Sequence, residues 1–204
     1  MVAIQRKLKQ DEGLEPEQDE RRAGPRIHTI FRLARVTRDG DAGLWRVCNI
    51  SNYGVMLLTG LPVAPGERLT IALSDAFTVK AKVVWAREGR CGATFDRPIE
   101  CDTLLQRLAA EQRAEGYRAL RLDVDARAIA FCEDGMHSVR VFNISRQGVG
   151  VAHKGCFSPG IPTKLLFPGG NEHRGVVRWS DEGRAGIFLI DPLPCDQLES
   201  VSRL

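Results

Sequence analysis

The sequence contains NISNYGV at residues 49–55 and NISRQGV at residues 143–149, which are 94 positions apart. The same separation relates further pairs of identical residues: Pro65 and Pro159, Val83 and Val177, Trp85 and Trp179, Gly92 and Gly186, Pro98 and Pro192. A constant separation of 94 residues over so many pairs is not expected by chance. Because such a repeat is the signature of a duplicated structural unit, the sequence predicts two copies of one module.

The repeat divides the chain into three segments. Residues 21–115 and 116–204 are the two modules, each close to the size at which a single core can stabilise itself. A hydrophobic content of 43% is enough for two cores. Residues 1–20 contain no aromatic side chain and many charges. They are expected to form a flexible tail, in which a short helix over residues 4–10 would have little to bury.

Short strands dominate the predicted secondary structure. Branched and aromatic residues alternate from Ile27 onward and predict the first strand, which ends before Asp39-Gly40-Asp41. Five more strands are predicted near residues 45–50, 55–59, 68–73, 78–86 and 91–95. Six short strands favour a barrel, because closure removes exposed sheet edges. The predicted fold is therefore all-β with minor helix: two tandem six-stranded barrels.

A helix is expected after each barrel. Asp102 is a candidate N-cap for a helix that reaches about Ala114, with an apolar stripe at Leu104, Leu105 and Leu108 that would cover one mouth of the barrel. The second copy repeats the strand spacing over residues 118–189. A shorter apolar stripe over residues 196–204 predicts a short terminal helix there.

Composition argues against several classes of protein. The net charge is only +3, and no row of surface aromatics is evident, so DNA or RNA is not an expected partner. The six cysteines form no Cys-x-x-Cys and have no histidine at ligand spacing, so neither a metal nor a disulfide framework is predicted. The start of the chain is polar and no apolar run could cross a bilayer, which indicates a cytoplasmic location without membrane insertion.

An arginine cluster precedes the first barrel only. Residues 21–38 hold six arginines and no carboxylate, and Arg21, Arg22 and Arg26 lie within six positions. The planar guanidinium can bond two phosphate oxygens or the edge of a guanine, and its face can stack on a base. Gly24-Pro25 disfavours a helix, so the cluster is expected on a loop that could close over an anion. The alternative is a solvated basic stretch at a domain edge.

The repeated motif supplies polar groups at a strand end. Asn49 and Ser51 share one face of the strand and are expected to reach outward, while Ile50 points into the core. Gly54 allows a positive φ or a close approach. The alternative is a strand end closed by local side-chain to backbone bonds, which Asn and Ser often make.

Arg-x-x-x-Arg before a first strand, followed by Asn-x-Ser-x-x-Gly at a later strand turn, resembles the signature of the PilZ domain family. The resemblance covers residues 21 to about 113 with both motifs, and residues 116–204 with the second motif. It implies six-stranded barrels with carboxy-terminal helices in a bacterial receptor for cyclic di-GMP. Arg22 and Arg26, assisted by Arg21, would hold phosphates and guanine edges. Asn49, Ser51 and Gly54 would complete the site.

The second copy departs from that pattern at its arginines. The 94-residue offset carries Arg22 and Arg26 to Gly116 and Leu120. Arg118 and Arg121 lie close by, in a segment that could be loop or strand. With Asn143, Ser145 and Gly148 they predict at most a weak second site. The second module is then expected to act chiefly as an interaction surface.

The expected function is a ligand-controlled switch rather than an enzyme. The four histidines have no nucleophile and carboxylate arranged around them, and the pair Asp123 and Asp125 is better explained as solvated side chains of one face. No cofactor beyond the nucleotide is expected. The output would be motility, adhesion or polysaccharide production through a protein partner, and self-association is left open. A nucleotide-free adaptor acting only through protein contacts is the alternative.

Overall fold

The computed structural model describes residues 27–155 and 157–203, with the side chains of residues 27–31 left out. The predicted tail and its helix over residues 4–10 lie outside the described residues, as do Arg21, Arg22 and Arg26. The elements of the first module are β1 (Ile27–Arg38), β2 (Asp41–Ile50), β3 (Gly54–Leu58), β4 (Arg68–Ser74), β5 (Phe77–Arg87), β6 (Arg90–Phe95) and α1 (Cys101–Arg113). The strands close into a barrel in the order β1-β2-β3-β6-β5-β4.

The second module repeats this topology. Its strands are β7 (Leu122–Cys132), β8 (Gly135–Ser145), β9 (Gly148–Ala152), β10 (Pro162–Leu166), β11 (Glu172–Asp181) and β12 (Arg184–Leu189). They close in the corresponding order, β7-β8-β9-β12-β11-β10. The predicted fold of two six-stranded barrels is confirmed. None of the described helices is long and apolar enough to span a membrane.

Helix α1 covers the first barrel, as predicted, but it begins differently. Leu104 and Leu108 are buried in the core of the first barrel. The N-cap is Glu100 rather than Asp102, and its side chain makes no capping bond. The amide of Cys101 instead donates to Oδ1 of Asn52, at 3.1 Å. A side chain from the β2–β3 turn thus satisfies one of the free amides at the helix start.

The helix predicted after the second barrel is not found in the described part of residues 196–204. Residues 196–203 contain only two short 3₁₀ turns, Asp196–Leu198 and Val201–Arg203. The residue at the position of Asn52 is Arg146, which has no acceptor atom in its side chain and cannot cap a helix. The backbone bond that precedes the helix does recur: Leu193 N donates to Arg146 O at 2.7 Å, as Ile99 N donates to Asn52 O at 2.8 Å.

The chain end of the second barrel lies against the first barrel. Leu198 is buried in the core of the second barrel, and so is Leu44 of β2, which belongs to the first. The Glu199 carboxylate accepts a bond from Gly60 N at 2.7 Å, and Asp41 Oδ1 accepts one from Ser202 Oγ at 3.1 Å. Near β7, Arg35 Nη1 donates a further hydrogen bond between the two barrels, to Arg121 O at 3.1 Å. The two barrels therefore share a packed interface.

Candidate functional site

The repeated motif forms the turn between β2 and β3. The expectation that its polar side chains reach outward is wrong, because Asn49 is only 6% exposed and Ser51 8%. Ser51 Oγ accepts from Tyr53 N at 3.3 Å and donates to Gly54 O at 3.4 Å. Ser145 Oγ donates to Gly148 O in the same way, at 3.2 Å. The serine of each copy thus closes its own turn, which is the alternative the sequence left open.

Gly54 is required by close packing rather than by a positive φ. A Cβ at this position would lie 2.5 Å from the carbonyl oxygen of Ala93 on β6. The two backbones therefore approach more closely than a side chain permits. This contact fixes how the turn sits on the neighbouring strand.

The start of β1 runs beside the motif. Ile27 pairs with Ile50, and His28 pairs with Asn49. The arginine cluster ends at residue 26, the residue bonded to Ile27. Strand pairing therefore places Ile27, where the arginine cluster joins the barrel, next to the motif, although the two lie more than 20 residues apart in the sequence.

The second copy is in a different register at its strand entry. Leu122 pairs with Ile144, just as Ile27 pairs with Ile50, so the offset here is 95 rather than 94. The cause is an irregularity in strand pairing. It lies between His28 and Arg32 in β1 and between Asp123 and Ala126 in β7, where it contains one residue fewer. Counting back from the strand entry with this offset aligns Arg22 with Tyr117 and Arg26 with Arg121 in the sequence, in place of Gly116 and Leu120.

A cleft of about 340 Å³ opens at this position on the second barrel, and we call it the second cleft. Four of the predicted second-site residues line it: Arg118, Arg121, Ser145 and Gly148. The segment that carries both arginines is irregular rather than strand, since β7 begins at Leu122. Asn143 does not line the cleft. Its Oδ1 is buried and finds no hydrogen-bond partner among the described residues.

Further residues of the second cleft were not predicted. Tyr117, Arg178, Trp179 and Phe188 also line it. The indole of Trp179 lies against Gly186, where a Cβ would overlap its ring, and 42% of Trp179 remains exposed. The guanidinium of Arg178 stacks over Phe188 with its carbon 4.8 Å from the ring centroid. The available signal was that Arg178 replaces the valine, Val84, found before the tryptophan of the first copy.

Other ionisable groups are held in ion pairs or buried in the core. Among the described residues no three His, Cys, Asp or Glu side chains come together to hold a metal ion. The Arg140 side chain bonds both carboxylate oxygens of Asp125 and keeps the pKa of that carboxyl below its usual value. Burial raises the pKa of the Cys91 thiol to about 11. These groups pair or pack and form no reactive constellation.

Comparison with known proteins identifies the first module. Residues 20–111 match the family described as PilZ domain, a span that contains all of the first barrel and most of α1. These residues are therefore similar to the PilZ domain family, which agrees with the resemblance noted in the sequence. The match does not extend to the second barrel, which shares the strand order. No curated protein shows significant sequence similarity to the chain.

Several solved structures are similar to the chain over most of its length. PlzA of Borreliella burgdorferi, in complex with c-di-GMP, is 14% identical with a TM-score of 0.37, over 86% of this chain and 91% of that one. YcgR of Escherichia coli, also in complex with c-di-GMP, is 12% identical with a TM-score of 0.33, over 81% and 80%. The inhibitor of motility MotI/DgrA of Bacillus subtilis is 13% identical with a TM-score of 0.31, over 81% and 89%. Because these TM-scores are low, the similarity of residues 20–111 to the PilZ domain family rests on the family match alone.

Proposed function

We propose that this protein is a bacterial, cytoplasmic cyclic di-GMP receptor, not an enzyme, and that both barrels are PilZ-type modules. The first barrel binds the nucleotide: Arg21, Arg22 and Arg26 hold phosphates and guanine edges, and Asn49, Ser51 and Gly54 complete the site. One observation carries the proposal. The pairing of Ile27 with Ile50 joins the arginine cluster to the barrel beside the Asn-x-Ser-x-x-Gly turn.

The proposed mechanism is a change of packing. The bound nucleotide orders the arginine segment against the first barrel, and this shifts either the contact between the barrels or the surface offered to a protein partner. β1 supports this route, because it begins at the motif and also carries Arg35, which bonds the backbone of the second barrel. The output is motility, adhesion or polysaccharide production. No nucleic acid takes part.

Calorimetry with cyclic di-GMP, with GTP as the control ligand, tests the first site. Charge-assisted bonds contribute about 1.5 to 3 kcal/mol each, so the double variant Arg22→Ala, Arg26→Ala should bind roughly 10² to 10⁴-fold more weakly. Arg46→Ala is the matched control, because Arg46 is exposed on β2 of the same barrel, away from the turn. Unchanged affinity in the double variant would refute the site.

The second candidate function is a nucleotide-free adaptor. It is favoured by the burial of Asn49 and Ser51 and by the use of the Ser51 hydroxyl in closing the turn. An adaptor predicts no thermal shift with cyclic di-GMP, whereas a receptor gains apparent stability of a few kcal/mol at saturating ligand. We further propose that Arg118, Arg121, Asn143, Ser145 and Gly148 mark a second, weaker nucleotide site on the second barrel.

A further inference from the structure

We propose that the second cleft binds a nucleoside monophosphate, one aromatic base with one phosphate, independently of the arginine cluster that precedes the first barrel. The proposal deepens the weaker second site and rests on that site being a nucleotide site. Its basis is the cleft itself, whose lining the repeated motif only partly accounts for.

Charge is the first argument. Arg118, Arg121 and Arg178 line the cleft, and none of the lining residues is acidic. All three arginines are exposed. The ion pairs found among the described residues involve other arginines and lysines. Guanidinium groups without acidic partners in a concave site favour a bound anion, and their planar forks match phosphate oxygens.

Aromatic surface is the second argument. Trp179 and Tyr117 line the same cleft with 42% and 45% of their surface exposed. Two large aromatic side chains exposed together in one concave site offer their faces to a bound ring. Because Gly186 holds the Trp179 indole against the barrel wall, that ring is a fixed platform on which a base could stack. The side-chain amide of Gln147, also in the lining, offers both a donor and an acceptor to a base edge.

The volume of the second cleft and the alignment of the two copies favour one nucleotide over a cyclic dinucleotide. The cleft of about 340 Å³ lies at the lower end of small-molecule sites, which span about 300 to 1,000 Å³. In the sequence, counting back from the strand entry aligns Tyr117 with Arg22, so the second copy keeps one arginine of the spaced pair, Arg121. A cleft of this size, with Trp179 as a stacking surface and guanidinium groups gathered around one phosphate, fits a mononucleotide.

The test is calorimetry of the full chain with GMP and AMP, and with inorganic phosphate and cyclic di-GMP for comparison. We expect one GMP per chain, bound more tightly than phosphate. The double variant Arg121→Ala, Arg178→Ala should weaken GMP binding about 10²-fold or more, since two charge-assisted contacts are lost. Arg127→Ala is the matched control, because Arg127 is exposed on the same barrel but lies outside the cleft.

Two further variants make the result decisive. Arg178→Lys keeps the charge and the fold but lacks the planar fork, so it should also bind GMP more weakly than the native protein. The double variant Arg22→Ala, Arg26→Ala should bind GMP normally. Absence of GMP binding by the native protein, loss of it in this double variant, or tighter binding of cyclic di-GMP than of GMP in the second cleft would each overturn the proposal. If cyclic di-GMP binding still depends on Arg22 and Arg26, the function proposed for the first barrel stands regardless.

Discussion

The indole Nε1 of Trp45, on β2 of the first barrel, donates a hydrogen bond of 2.9 Å to the backbone carbonyl of Glu199, near the end of the second barrel. The two residues are 154 positions apart, and Trp45 is 1% exposed. The second copy has Val139 at the position of Trp45, so the bond has no counterpart within the repeat. Duplication supplied two similar barrels, and residues outside the repeated pattern join them.

Replacing Trp45 with phenylalanine should destabilise the protein. The variant keeps an aromatic core residue but leaves the Glu199 carbonyl without its donor, and an unsatisfied buried polar group costs about 1 to 3 kcal/mol. Urea unfolding measures the loss of unfolding free energy. Trp85→Phe is the control for the change in ring size. Equal effects of the two substitutions would show that the bond to Glu199 contributes nothing.

A glycine in β2 is a second determinant of the interface. A Cβ on Gly43 would overlap the carbonyl group of Glu199. Gly43→Ala should therefore displace residues 195–203 from the first barrel and expose them to limited proteolysis, with a lower melting temperature. Gly169→Ala is the control, because a Cβ there meets only Asn171, at an ordinary distance of 3.6 Å. Cleavage of the two variants at the same rate would contradict this role.

Local chemistry explains which parts of the fold could be predicted. Turns such as that at Gly66, with φ of +94°, have recognisable residues, and alternation defines the strands between them. The start of α1 was predicted incorrectly because its cap, Asn52, lies 49 positions earlier in the chain. The contact between Glu199 and Trp45 could not be predicted for the same reason, because the two residues are 154 positions apart.

The candidate site was predictable only as far as the repeat reaches. Of the motif residues in the second copy, Ser145 and Gly148 line the second cleft. Counting with a constant offset missed Tyr117, because the irregularity in β7 is one residue shorter than in β1 and only strand pairing reveals it. Arg178 was missed because only the fold brings β11 and the segment before β7 to the same cleft.

The cap from Asn52 can be tested by Asn52→Ala. Removing the acceptor frees the Cys101 amide at the start of α1, and loss of an N-cap costs about 0.5 to 2 kcal/mol. Hydrogen exchange should show faster exchange in the first turn of the helix. Gln106→Ala, an exposed substitution on the same helix, is the control and should leave that turn protected. Equal protection in both variants would exclude the capping role.

The contact between the barrels should weaken in acid through Asp41. Burial acts to raise the pKa of this carboxyl, but hydrogen bonds from Ser200, Ser202 and the Ala42 amide outweigh it and hold the pKa below its usual value. A lowered pKa in the folded state adds stability that is fully present above the unfolded value. That stability is lost as the pH falls through the lower folded value.

Asp41→Asn should therefore remove part of the pH dependence of stability below about pH 5. Urea unfolding at neutral pH and at about pH 3 measures it: the native protein should lose more free energy of unfolding between the two than the variant does. Asp39→Asn is the control, because Asp39 is exposed in the same turn, and asparagine tolerates its positive φ of 41°. If Asp41→Asn shows the native pH dependence, the bonds from Ser200 and Ser202 do not couple the barrels to protonation.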